Sequence, residues 1–213
     1  MLVLPNRLAD DFLAAHLLAR LCVAATYAMD PAGMTWSQRC RMCNGPHGRP
    51  MILEAEECAI SLSHSDGYVL AAASPFAVGV DAEVLDRGFD HEEIAARVLS
   101  RHDLAAVRGA VDPRAAFLRQ WVRLESLVKI GHISLDETRS VDLSALGVEK
   151  PTGSTVLRWK GYRVYDWTDG DVELVAISVG ELVLVELDEL LDLASERPSA
   201  ASADPTTAPP HSG

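Results

Sequence analysis

"ISLSHSDGYVLAAASPFAVGVDAEVLD", residues 60–86, decides the fold. Two apolar runs, 58–64 and 68–73, meet at Ser65-Asp66-Gly67, a turn sequence that suits a tight antiparallel hairpin. A third run over 76–83 carries "FAVGVDAE", and the stretch therefore predicts three strands. None of Ser63, His64, Asp81 and Glu83 is needed for a strand's own stability. They stand where strands emerge from a core, which is where chemistry is usually placed.

Outward from this stretch the pattern repeats. Upstream, Leu8, Phe12, Ala15, Leu18, Cys22 and Ala25 recur at helical spacing over 8–29, and Asp30-Pro31 stops the helix. Residues 31–57 read as loop, punctuated by Gly33, Gly45, Pro46, Gly48 and Pro50. Downstream, "HEEIAARVLS" reads as one helix. "DPRAAFLRQWVRLESLVKIG" reads as another, with Asp112 as N-cap, Pro113 at the first helical position and Gly131 just past the end. Strands over 155–159, 162–168 and 172–179 follow, with turns at Lys160-Gly161 and Asp169-Gly170. Each half is helix first, then antiparallel strands. The expected class is α+β (α/β): a pseudo-twofold pair of similar subdomains, 1–85 and 86–196. The Pro/Ser/Ala-rich tail over 197–213 has too little apolar surface to pack and is expected to be disordered.

The 213 residues are 48% hydrophobic, enough for a substantial core. A net charge of −12 argues against a nucleic-acid-binding surface. No apolar run is long enough to span a bilayer. "MLVLPNRLADDF" meets Arg7, Asp10 and Asp11 too early for a secretory signal. A cytoplasmic monomer with reduced thiols is expected. Cys40-x-x-Cys43 with His47, and Cys58 further along, leaves two readings open: a zinc site, or a turn-rich loop with buried thiols.

On a strand Asp81 and Glu83 point the same way and Ala82 the other. Two carboxylates so close repel unless something positive sits between them. Trp121, Glu125 and Lys129, each four residues apart, share a helix face. Phe117, Trp121, Leu124 and Val128 form an apolar stripe, which leaves Glu125 half-buried at its edge. Glu125 and Lys129 could be no more than an intrahelical ion pair. Alternatively, Glu125 joins Asp81 and Glu83 in a three-carboxylate oxygen site suited to Mg²⁺. Ser63 and His64 make no hydrolase pair, because neighbours on a strand face opposite ways and no G-x-S-x-G elbow is present.

The ordered set "HGRP", "SLSHS", "VGVDAE" and "FLRQWVRLESLVKIG" resembles the surfactin-type phosphopantetheinyl transferases over residues 7–180, and "ARVLSRHDLAAV" resembles their inter-half segment. The resemblance implies two similar halves with coenzyme A bound between them. It also implies Mg²⁺ on Asp81, Glu83 and Glu125, and transfer of phosphopantetheine to a serine of an apo acyl or peptidyl carrier protein. Glu125 or a water on the metal would accept the serine's proton, and Lys129 would neutralise the leaving phosphate. Gly48, Arg49 and Pro50 would line the adenine side, Ser63 and His64 would touch the pyrophosphate and 3′-phosphate, and Arg7 and His16 would stand near the 3′-phosphate. Three positions depart from the family pattern: His16 where relatives often have arginine, Leu124 where they have lysine, and Ala82 within D-x-E. The first two motivate an alternative, a relative that binds coenzyme A or a carrier protein without efficient transfer. Arg97, Arg101, Arg108, Arg114, Arg119 and Arg123 form a basic cluster, read either as a carrier-docking face or as a solvated helix surface.

Overall fold

The computed structural model describes residues 6–195, apart from 41–42, 47, 85–89 and 150–152. The chain runs α1 (Asn6–Tyr27), β1 (Trp36–Ser37), β2 (Met51–Ile52), β3 (Ala59–Ser65), β4 (Tyr68–Ser74) and β5 (Val78–Val84). It continues through α2 (His91–Val98), α3 (Arg101–Gly109), α4 (Pro113–Ile130), β6 (Thr155–Trp159), β7 (Tyr162–Asp169), β8 (Val172–Ser178) and α5 (Leu187–Ser195). It is an α+β fold with antiparallel sheets, as the sequence predicts. Among the described residues, no helix is long and apolar enough to cross a membrane.

In the N-terminal half, α1 lies on the β3–β4 hairpin. Its buried stripe is made of small residues, Ala15, Ala19 and Val23, so helix and hairpin can approach closely. The hairpin turns at Asp66 and Gly67, both at positive φ, as a two-residue turn of matching twist requires. Asp11 of α1 ties that turn down by accepting the Gly67 N–H at 3.0 Å.

In the C-terminal half, α4 crosses a four-stranded sheet ordered β5-β8-β7-β6. Asp112 caps its start by accepting from the Arg114 and Ala115 N–H groups, and Gly131, at φ +77°, closes its end. The strand carrying Asp81 and Glu83 hydrogen-bonds along its whole length to β8, so it completes the sheet of the second half.

β3 and β5 are neighbours, but no backbone ladder joins them. The β5 N–H groups of Val80, Ala82 and Val84 instead donate to the hydroxyls of Ser61, Ser63 and Ser65, at 3.0, 3.3 and 3.4 Å. Strand alternation puts those three serines on one edge, and every otherwise orphaned N–H finds an acceptor.

Several expectations need correction. "HEEIAARVLS" forms a helix as predicted, ending at Val98, but the separate α3, which Ser100 caps by accepting the Asp103 N–H, was not predicted. The segment read as loop contains the short β1–β2 pairing, Trp36 with Ile52 and Ser37 with Met51. The α5 helix, packed on α1 through Leu190, was not predicted. The arginine cluster is not one surface. Arg119 and Arg123 are only 1% and 2% exposed, paired with Glu173 and Asp166, while Arg97 and Arg108 pair with Glu93 and Glu92 outside. Cys58 sits in the N-terminal core, away from the Cys40–Cys43 turn, and His47 lies outside the described residues. The tail over 197–213 also lies outside them.

Candidate active site

Gly79, Asp81 and Glu83 alternate onto the face of β5 that meets α4. A Cβ at Gly79 would run into the Ser126 carbonyl of α4, so this glycine lets the helix backbone pass directly over the strand. That contact sets Glu125 and Lys129 beside the strand's two carboxylates. The Lys129 ammonium donates to Asp81 Oδ1 at 2.6 Å and to the Val80 carbonyl at 3.0 Å. Asp81, 3% exposed, also accepts from Ser63 Oγ at 2.8 Å on Oδ1, whereas its Oδ2 is buried with no hydrogen-bond partner among the described residues. Glu83 accepts from Ser65 Oγ at 3.0 Å.

Burial raises the carboxyls of Glu83 and Glu125 above the ordinary carboxylate range, and the negative charge of Asp81 raises both further. Glu125 is raised again by Glu83, while Lys129 pulls both down and the Ser65 hydroxyl pulls Glu83 down. The three acids therefore interact, although no group of three His, Cys, Asp or Glu among the described residues stands as a ready metal cage. Charge balance points the same way. The layer between α4 and the sheet holds Asp81, Glu83, Glu125, Asp166 and Glu173 against Arg119, Arg123 and Lys129. Among these residues the acids outnumber the bases, and the excess lies at Asp81, Glu83 and Glu125. The all-oxygen donor set and the orphaned Asp81 Oδ2 suit a hard cation such as Mg²⁺.

A groove of about 230 Å³ opens beside this cluster, lined by Gln38, Gly48, Arg49, Pro50, Ser61 and Lys129 among others. A Cβ at Gly48 would strike the backbone of Arg39 and Cys40, so the loop needs glycine there, and its N–H bonds the Gln38 carbonyl. The Arg49 guanidinium packs over Gly131, where any side chain would displace it. His16 stacks between Phe12 and Trp36 and reaches Gln38 Oε1 at 3.4 Å. The His64 ring meets Phe12 edge-on at 6.5 Å.

The predicted residues thus fall into three places. Asp81, Glu83, Glu125, Lys129 and Ser63 form one cluster. Gly48, Arg49 and Pro50 share the groove with Lys129. His16 and His64 flank Phe12 on the α1 side, and Arg7 lies in the first turn of α1. Leu124 is 1% exposed within the main core, so a lysine there has no room. A second cavity, of about 220 Å³, lies beside Arg119, Glu149 and Glu173 and contains none of these residues. The sequence reading missed Ser65, Ser61 and Gln38. For the serines, the signal was the S-x-S-x-S alternation itself.

Residues 77–179, 103 of the 213, match the family model of the 4′-phosphopantetheinyl transferase superfamily. No curated protein matches the chain. The matched segment begins just before β5 and ends just after β8. It contains Asp81, Glu83, Glu125 and Lys129, and it leaves out α1, the groove loop and β3.

Proposed function

We propose that this protein is a surfactin-type transferase. It moves 4′-phosphopantetheine from coenzyme A to a serine of an apo acyl or peptidyl carrier protein, requires Mg²⁺ and releases adenosine 3′,5′-bisphosphate. The observation that carries this reading is a coincidence: the segment matching the transferase superfamily is the one that brings three carboxylates and a lysine together beside a groove.

Asp81 through Oδ2, Glu83 and Glu125 would hold the Mg²⁺, which supplies the positive charge that lets a pyrophosphate approach these acids. Gly48, Arg49 and Pro50, which line the groove, would face the adenine side of coenzyme A. Lys129 has three N–H donors and spends two on Asp81 and Val80, leaving one for the phosphate that departs. Glu125, on the α4 face beside Asp81 and Glu83, takes the proton of the incoming serine hydroxyl. The serine oxygen bonds to the β-phosphorus as the bond to the bridging pyrophosphate oxygen breaks, and the leaving group carries away that electron pair.

The test is incubation with coenzyme A, Mg²⁺ and a panel of apo carrier proteins, read by intact mass. A gain of one phosphopantetheine on any carrier, with release of adenosine 3′,5′-bisphosphate, is expected. Binding of coenzyme A without mass gain on any carrier would overturn transfer in favour of the binding-only alternative.

A further inference from the structure

The serines of β3 each face β5 in the same way, yet they do not do the same work. Ser61, Ser63 and Ser65 each accept one β5 N–H. A hydroxyl has a single proton to donate, and Ser63 gives it to Asp81 and Ser65 to Glu83. Ser61 sits opposite Gly79 and Val80, where β5 offers no carboxylate. Two rungs of the seam therefore hold a strand and also orient a carboxylate, and one rung only holds the strand.

We propose that Ser63 and Ser65 are positioning residues for the cation-binding carboxylates, fixing Asp81 and Glu83 from the opposite half of the molecule. This rests on the cation reading of the site given above. The Ser63 proton holds Oδ1 of Asp81 beside Lys129, which leaves Oδ2 as the oxygen turned to a cation. The Ser63 hydroxyl, 8% exposed at the residue level and spent on Asp81 and the Ala82 N–H, has no proton left for a phosphate. Its part is to aim a ligand and not to touch substrate. Coupling follows from the topology: β3 belongs to the α1 half and β5 to the α4 sheet, so any splaying of the two halves takes the serine donor from both carboxylates together.

The three serines supply their own control. Ser61→Ala and Ser63→Ala each orphan one buried β5 N–H and should lower the melting temperature, Ser63→Ala by more because it also strips a donor from Asp81. Only Ser63→Ala should also weaken binding of Mn²⁺, measured on the full chain by calorimetry without substrate. The loss expected on removing such an outer-shell partner is roughly 10–100-fold, with Ser63→Thr restoring most of it. Should Ser63→Ala fail to fold, Ser65→Ala, which releases Glu83, is read the same way. Wild-type Mn²⁺ affinity in the alanine variant overturns the proposal, as does an equal loss in Ser61→Ala or a wild-type protein that binds no Mn²⁺. So does a raised KM for coenzyme A at unchanged Mn²⁺ affinity, which would make Ser63 a substrate contact. The predicted Mn²⁺ pattern in a protein that transfers nothing supports the positioning role and sinks the transferase reading alone.

Discussion

The two ends of α4 meet the same sheet face with the same kinds of residue and reach opposite outcomes. At the N-terminal end Arg119 donates twice to Glu173 and once to the Val148 carbonyl. One turn on, Arg123 pairs with Asp166 and caps the Gly147 carbonyl at 2.6 Å. Every charge there is matched and sealed. Further along, Lys129 pairs with Asp81, while among the described residues Glu83 and Glu125 have no ion-pair partner within 4 Å. Register sharpens the contrast, because Glu83 lies directly across from Glu173 on the sheet. Adjacent strands carry the paired and the unpaired carboxylate side by side. One stretch of the helix matches its charges; the other leaves carboxylates facing one another.

The largest effect should come from breaking the sealed end. Arg123→Ala leaves Asp166 buried and uncompensated and frees the loop at Gly147. A loss of about 3–5 kcal/mol is expected from chemical denaturation. A loss below about 1 kcal/mol would show that the pair is solvated and that the two ends do not differ as described.

At the open end one substitution should act in opposite directions on activity and stability. Glu125→Gln removes the group proposed to take the serine proton and one of the three carboxylates, so transfer should fall by about 10²–10⁴ at saturating Mg²⁺. Near-wild-type turnover in this variant would remove Glu125 from the mechanism.

The stability change in that same variant should be smaller and of the other sign. Glu83 and Glu125 have pKa values raised above the ordinary 4.5, so the folded protein holds their protons more tightly than the unfolded chain. Their stabilising contribution is complete below pH 4.5 and is lost as pH rises through the raised values. Asp103, raised by burial, shares this sign. Asp142, held at about 2 by Ser144 and His102, has the opposite one, stabilising above its ordinary 3.8 and failing as pH falls towards 2. The difference between Glu125→Gln and wild type cancels the two bystanders. Without divalent cation the variant should melt higher at pH 7, and the gap should close towards pH 4.5 or on adding Mg²⁺. A lower melting temperature at pH 7 would mean that Glu125 is stabilised where it stands.

Much of this contrast was legible in the sequence, though unevenly. The caps and turns of α4, the β3–β4 hairpin and the β6–β8 strands are local signals, carried by Asp112, Gly131, Asp66-Gly67 and Asp169-Gly170, and they appear where they were predicted. The carboxylate cluster was readable because strand and helix periods each put two of its members on one face. The sealed end was misread, because a helical arginine looks solvated until its partner is known. Its partners were visible as isolated acids inside apolar strands, Asp166 in "YRVYDWTD" and Glu173 in "VELVAIS". A charge there must meet a counter-charge from another element. Which element was not legible, since Arg119 and Arg123 stand 54 and 43 residues from Glu173 and Asp166 along the chain.

The smallest effect belongs to the arginines that do face water, and it tests whether burial rather than pairing makes the difference. Arg97 and Glu93 stand one turn apart on α2 with side chains 72% and 62% exposed. The glutamate is on the N-terminal side, the favourable order, yet such a pair contributes only about 0.2–0.5 kcal/mol and is screened by salt. Arg97→Ala should therefore barely move the denaturation midpoint, and its effect should vanish at high ionic strength, whereas that of Arg123→Ala should persist. Arg97 also stands where a partner can reach it, unlike the buried Arg119 and Arg123. Combined Arg97→Glu and Arg101→Glu reversal should raise the KM for the carrier protein, with little change in that for coenzyme A, if this surface receives an acidic partner. An unchanged carrier KM would leave α2 and α3 as solvated helices and confine recognition to the cleft beside Lys129.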